Sequence, residues 1–315
     1  MYRRKKRAIA HGSKVRTYSF LATLALITII VGASYYSSSP RVGHIPDSFH
    51  FQSRKWMSFV PQTAQYVAFI DYGSAYAVSE NALLFGARAF LRFYQFQLDI
   101  MPQSILCTLD IQLPPSSFNL MPVTSSVIKL HNDTMSALLD GLARTKISKT
   151  LYDGYPVYTL LMVDPSPQQK LISAYVAIVD DSLVIATDAS YGKYSVETIL
   201  DQYTSNARNL FDRLDVRRGV YASGVADKPC LGLFVGNFAT QFNNTHMIVK
   251  SVSPNARSIH VTRSILFSNS DFAVKEFGRA HRVYDNANSY DILDQWLIIT
   301  YDYGLDRLRG ELSGI

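Results

Sequence analysis

Charge of either sign is missing from Thr17 to Pro40, and acid is missing from the first 16 residues. Cysteine is scarce, with Cys107 and Cys230 alone in 315 residues, which excludes a small scaffold held by several disulfides. The common catalytic signatures are also missing. No Gly-x-Ser-x-Gly elbow, His-Glu-x-x-His zinc helix, Cys-x-x-Cys pair or Gly-x-x-x-x-Gly-Lys phosphate loop occurs. Nor is there an Asp-x-Asp triplet, the spacing with which metal-dependent glycosyltransferases bracket a sugar-nucleotide phosphate.

What is present begins with a lopsided charge distribution. The net charge is +6 and the pI about 9.1. Arg3, Arg4, Lys5, Lys6, Arg7, Lys14 and Arg16 supply more than that excess, leaving 24 basic against 25 acidic residues from position 17 onward. The bulk of the chain is therefore neutral and lacks the long-range attraction to phosphate that drives non-specific nucleic-acid binding. No nucleic-acid partner is expected. The basic tail suits anionic lipid headgroups instead, at about 1 kcal/mol per cation near the surface.

The uncharged stretch carries Phe20, Leu21, Leu24, Leu26, Ile27, Ile29, Ile30 and Val31. At roughly −0.3 to −0.6 kcal/mol each, these eight favour insertion by about −2 to −5 kcal/mol with no charge opposing them. As a helix, residues 18–36 span about 28 Å, close to the hydrocarbon thickness of a bilayer. Tyr18, Tyr35 and Tyr36 fall where aromatic belts sit. Seven cations precede the span and only Arg41, Arg54 and Lys55 follow closely, so the amino terminus is expected inside and the remainder extracytoplasmic. The alternative is a secretory signal, cleaved at the small-residue pattern of Val31 and Ala33. The expected organisation is a basic cytoplasmic tail at 1–16, an anchor in the cell membrane at 17–36, a Ser-, Pro- and His-rich linker at 37–61, and an exported domain whose halves cover 62–216 and 217–315.

Asn132-Asp133-Thr134 and Asn243-Asn244-Thr245 are N-glycosylation sequons, making Asn132 and Asn243 candidate acceptors. Cys107 and Cys230 are a candidate disulfide, worth roughly 4 to 5 kcal/mol on a chain-entropy model. They also read as small buried hydrophobes, because Cys107 alternates with Ile105, Leu109 and Ile111 on one strand face.

Periodicity places a strand at Tyr66 to Tyr72, a long helical stretch from about Ala75 to Leu98, strands at Ser104 to Leu113 and Ser125 to His131, and a helix from Asn132 or Asp133 to Thr145. A meander follows at Tyr155 to Val163, Ile172 to Val179 and Leu183 to Thr187, with Asp180-Asp181-Ser182 at its tight turn. Helices are expected at Ser190 to Tyr203 and Ala207 to Leu214, ending at Arg217-Arg218-Gly219. Strands at Gly219 to Gly236 and Ser258 to Phe267 lead to a helix from Ser270, a strand at Trp296 to Tyr301 and a helix to Leu312. The segment from Ser182 to Thr187 resembles that from Gln295 to Thr300, and the strands at Tyr66 to Tyr72 and Cys230 to Gly236 correspond. A diverged internal repeat would account for both likenesses, with an insertion in the first half. The class is α+β, an N-terminal transmembrane helix followed by antiparallel sheet with helices packed on one face.

Candidate chemistry is thin. Ser126-Val127-Ile128-Lys129 has Ser-x-x-Lys spacing, but on a strand its two ends point to opposite faces. His281 and Asp285 stand four apart on a helix, as a surface pair. His260 faces away from Ile259 and Val261, a solvated strand position. No residue is nominated as catalytic, cofactor-binding or metal-ligating. The expected function is non-enzymatic binding, assembly or envelope structure beside an envelope or membrane partner. The alternative is a metal-independent transferase or hydrolase whose site converges from scattered residues.

Overall fold

The computed structural model describes residues 42–43, 55–78, 104–115, 123–144, 147–163, 171–180, 182–187, 192–205, 207–225, 230–236 and 244–312. The apolar stretch at 18–36, Asn243 and most of the long helix expected at 75–98 lie outside them. Among the described residues no helix is long and apolar enough to cross a membrane.

One antiparallel sheet of 13 strands organises the described residues. In chain order these are β1 (Val42–Gly43), β2 (Tyr66–Asp71), β3 (Ile105–Leu113), β4 (Val123–Leu130), β5 (Ser148–Tyr152), β6 (Tyr155–Val163), β7 (Leu171–Val179), β8 (Ser182–Thr187), β9 (Gly232–Gly236), β10 (Thr245–Asn255), β11 (Ser258–Phe267), β12 (Ser289–Leu293) and β13 (Trp296–Gly304). Their order across the sheet is β1-β12-β13-β11-β10-β9-β2-β3-β4-β8-β7-β6-β5. Among the described residues six α-helices accompany them: α1 (Tyr72–Val78), α2 (Asn132–Arg144), α3 (Gly192–Ser205), α4 (Leu214–Ala222), α5 (Ser270–Val283) and α6 (Leu308–Leu312). The molecule is thus a sheet-dominated α+β fold.

The same order of connections occurs twice. Strands β2, β3 and β4 lie side by side, α2 follows, and β8 returns through the β7–β8 hairpin to pair with β4. Strands β9, β10 and β11 lie side by side, α5 follows, and β13 returns through the β12–β13 hairpin to pair with β11. The first run adds the β5–β6 hairpin outside β7, along with a longer chain between β2 and β3. The two runs meet at their first strands, β2 and β9, which pair antiparallel with Ala68 opposite Phe234 and Val67 opposite Val235.

Helices cover both faces of the sheet, which corrects the expectation of one. Ala68, Ile70, Ile128, Ile185 and Phe234 belong to a core shared with Met135 and Leu142 of α2 and with Ala273 and Ala280 of α5. Their neighbours in sequence, Val67, Phe69, Val127, Val184 and Val235, belong to a second core with Val196, Ile199 and Leu200 of α3 and with Val216 and Val220 of α4. Strands buried on both sides read as continuous apolar runs, as Val67 to Ile70 do with none more than 2% exposed.

Several boundaries differ from the sequence reading for local reasons. The strands expected over Gly219 to Gly236 reduce to β9 at Gly232–Gly236, while the start of that span is helix: α4 runs to Ala222, carrying Val216, Gly219 and Val220 at i, i+3, i+4 toward the core. Asn269 caps α5 in place of Ser270, its side chain accepting from the Phe272 amide at 3.0 Å. Strand β5 was missed, although Asp153-Gly154, with φ of 48° and 86°, closes a two-residue hairpin suited to that pair. The Asp180 turn stands as expected, with φ of 52°. Residues 55–59, in the stretch expected as linker, form a 3-10 turn in which Met57 and Phe59 are buried.

Two glycines separate backbone freedom from packing. A Cβ on Gly219 would stand 2.5 Å from Trp296 Cη2 and 2.7 Å from Val249 Cγ2, whereas one on Gly278 of α5 meets nothing within 4 Å. Gly219→Ala is expected to destabilise by about 1–3 kcal/mol through overpacking against a rigid indole, less the helix-propensity gain. Gly278→Ala should stabilise by up to about 1 kcal/mol. Urea midpoints of the two variants measure both signs.

Candidate functional site

Two regions concentrate polar chemistry beside apolar walls. The first is a cleft over β3, β4 and β7, lined by Trp56, Phe59, Leu109, Val127 and Val179, with Cys107, Lys129, Asp180 and Ser182 as its polar members. Strand register builds it. Cys107 pairs with Lys129 across β3–β4, and Lys129 with Ser182 across β4–β8, so the three stand in one row on one face. The 3-10 turn supplies the roof: Trp56 stacks on Phe69 with ring centroids 3.9 Å apart and planes 3° from parallel, and meets Phe211 edge-on at 6.0 Å. Phe59 stacks on Tyr203, whose hydroxyl donates to Asp180 Oδ2 at 2.6 Å.

The cleft holds about 100 Å³, below the roughly 300 Å³ at which small-molecule sites begin. It is nearer to the size that takes one small ring or one apolar side chain. Trp56 Nε1 is buried there without a hydrogen-bond partner among the described residues.

The second region lies on the opposite face of the sheet, on the other side of the β2–β9 pair, where β10 meets α6. Lys250 of β10 is 2% exposed, and its ammonium donates at 2.8 Å to both Glu311 Oε2 and the Glu311 carbonyl, 5.2 Å above the Phe234 ring. Burial lowers the Lys250 pKa from its usual 10.5, and the Glu311 carboxylate opposes the shift. Arg263 of β11 reaches the same carboxylate more loosely, at 3.5 Å, and lies 5.2 Å from the centre of the Tyr301 ring. Tyr284, Tyr301 and Tyr303 stand within electrostatic reach of this guanidinium, Tyr290 donates its hydroxyl to the Tyr284 carbonyl, and burial raises the pKa of each phenol. The positive charge of Arg263 pulls Tyr284, Tyr301 and Tyr303 the other way.

The residues singled out in the sequence are placed separately. Cys107 on β3 and Cys230 before β9 flank β2, so two strand spacings, about 10 Å, lie between their backbones. A disulfide spans about 7 Å at most between Cα atoms, and bonding them requires β2 to move. Asn132 is exposed at the start of α2. Ser126 donates to the buried Asp110 at 2.5 Å on the face opposite Lys129, as the strand reading of Ser-x-x-Lys requires. His281 packs on Phe277 and Tyr290.

His260 gained a partner that periodicity could not name. Its Nδ1 lies 2.9 Å from Asp302 Oδ1, and Asn288 Nδ2 donates to Asp302 Oδ2 at 2.5 Å. Ser253 pairs with His260 on its other side, giving a Ser253–His260–Asp302 row across β10, β11 and β13. Both His260 and Asp302 are 41% exposed. Among the described residues, no group of three or more His, Cys, Asp or Glu side chains could hold a metal ion.

Glu311 is the counter-charge on which buried Lys250 depends. Glu311→Gln should cost about 3–5 kcal/mol, because it leaves an ammonium in the core without its partner. The pH dependence has a definite sign. Lys250 has a folded pKa below the unfolded 10.5, so the unfolded chain binds more protons between the two values and stability rises with pH across that window. Relative to a Lys250→Met/Glu311→Gln double variant, the wild-type urea midpoint should climb as pH approaches 10.5.

No protein-family model matches the sequence, and no curated protein matches it. Among solved structures it is similar to crystal form IV of TP0453, at 9% identity and a TM-score of 0.48 over 82% of this chain and 96% of that one. It is also similar to crystal form III of TP0453, at 11% identity and a TM-score of 0.49 over 86% of this chain and 100% of that one.

Proposed function

We propose that this chain is a single-pass membrane protein with a cytoplasmic amino terminus, whose extracytoplasmic α+β domain binds a partner rather than transforming a substrate. The cleft roofed by Trp56 carries this reading. Its aromatic and aliphatic walls outnumber its polar members, and its volume of about 100 Å³ suits a single anchoring side chain of another protein. Trp56 stands only 20 residues past position 36, a reach of at most about 70 Å from the bilayer. The partner is therefore another membrane or envelope component. The repeated order of connections supports a diverged internal duplication beneath this surface, with β2 and β8 answering to β9 and β13. Asn132 and Asn243 are its proposed glycan acceptors.

Tags at both ends test the topology in sealed vesicles: protease added to the extracytoplasmic side should remove the carboxyl-terminal tag and spare the amino-terminal one. A photo-crosslinking benzoylphenylalanine at Lys129 in the full chain tests the cleft. It should give one discrete adduct that an identical probe at Arg279, on the opposite face, does not give, and Val127→Phe should suppress it by filling the cleft. Equal adducts from both positions would remove the binding reading.

One observation favours a second reading. The Ser253–His260–Asp302 row has the order of a nucleophile, base and orienting carboxylate, with Asn288 holding the carboxylate, so a metal-independent hydrolase is the alternative. It stands behind the first because these groups are exposed on the sheet, away from the cleft. A fluorophosphonate probe should label Ser253 in the native chain and fail on His260→Ala if this reading holds; an unlabelled native chain sinks it.

A further inference from the structure

We infer that Arg263 and the Tyr301 hydroxyl form a receptor for a phosphate oxyanion beneath α6. The charge balance supplies the first reason. Lys250 and Arg263 bring two cations against one carboxylate, and Glu311 is committed to Lys250 at 2.8 Å while Arg263 stands off at 3.5 Å. A guanidinium has five N–H donors, and this one keeps most of them for something other than Glu311. Its side chain is 31% exposed, so an anion can reach it from solvent.

The second reason is independent of charge. Tyr301 is 3% exposed, yet its hydroxyl finds no hydrogen-bond partner among the described residues. Leaving such a group unmet costs its desolvation energy, which makes an orphaned phenol in a well-packed sheet anomalous. Burial keeps that phenol protonated, so it is a donor at neutral pH. Arg263 lies 5.2 Å from the centre of the Tyr301 ring, and Tyr303 stacks on that ring at 5.3 Å, so the guanidinium stands over the same ring that carries the unmet hydroxyl.

Donor geometry selects the class of ligand. A guanidinium fork and a hydroxyl approach from different directions, which suits a tetrahedral group with at least three acceptor oxygens better than a planar carboxylate. Both inorganic phosphate and the headgroup of a phospholipid present that chemistry.

Thermal unfolding of the full chain in uncharged detergent separates the two sources. One arm adds inorganic phosphate against chloride at equal ionic strength; the other adds short-chain dihexanoyl phosphatidate as dispersed monomers. We expect a rise of several degrees in Tm with at least one probe, and the probe that acts identifies the source. Arg263→Gln and Tyr301→Phe should each weaken the apparent affinity by about tenfold or more. Tyr301→Phe preserves the ring and its packing, so it remains informative if Arg263→Gln unfolds. A Tm that neither probe moves, or a rise equal in wild type and both variants, as the basic amino-terminal tail alone would produce, overturns the assignment.

Discussion

The pairing of β2 with β9 is the constraint on which the rest of the architecture depends. These two strands are the only hydrogen-bonded seam between the two runs of connections in the described sheet. Both are buried on both sides, and neither tolerates a one-residue slip. A slip would send Val67, Phe69, Leu233 and Val235 into the core built for Ala68, Ile70 and Phe234, exchanging every side chain between faces. Register at this seam therefore fixes which residues of each half reach α2 and α5 and which reach α3 and α4.

The two chemical regions inherit their positions from that register, on opposite faces of the sheet and on either side of the seam. The cleft belongs to the face of Val67 and Phe69, where the 3-10 turn lays Trp56 across Phe69. The cationic cluster belongs to the other face, where Phe234 carries Lys250 above it. Each combines an aromatic wall with a polar group held in or near low dielectric, where hydrogen bonds and charges are strongest if satisfied and costly if not. The buried ion pair also explains the docking of α6. Glu311 serves Lys250 with its carboxylate and its carbonyl, and Leu308 and Leu312 of the same short helix are buried alongside.

Much of the fold was legible from local pattern. Strands β3, β6, β7 and β8 and helices α2 and α5 emerge within a few residues, because their periods and turn residues agree with their surroundings. The likeness of Ser182–Thr187 to the segment ending at Thr300 picks out β8 and β13, the two strands that close equivalent hairpins. Strand β10 was not legible, since Lys250, Ser251, Ser253 and Pro254 break its apolar run. Only the paired strands and Glu311 make a buried lysine there acceptable. Neither region could be read in advance for the same reason. Lys250 and Glu311 are 61 positions apart, Trp56 and Ser182 more than a hundred, and no spacing rule reaches that far.

Composition by itself determined the charge asymmetry, the neutrality of the chain beyond position 16, the α+β class and the absence of linear catalytic motifs, because these follow from residue types and short-range periods. Tertiary structure alone decided that helices cover both faces, that Cys107 and Cys230 flank an intervening strand, that His260 meets Asp302, and that Tyr284, Tyr301 and Tyr303 come within reach of Arg263. Those outcomes depend on which strands become neighbours. Neighbourhood in a sheet of antiparallel pairs is settled by the collective burial of two faces, a quantity that no single segment of the chain carries.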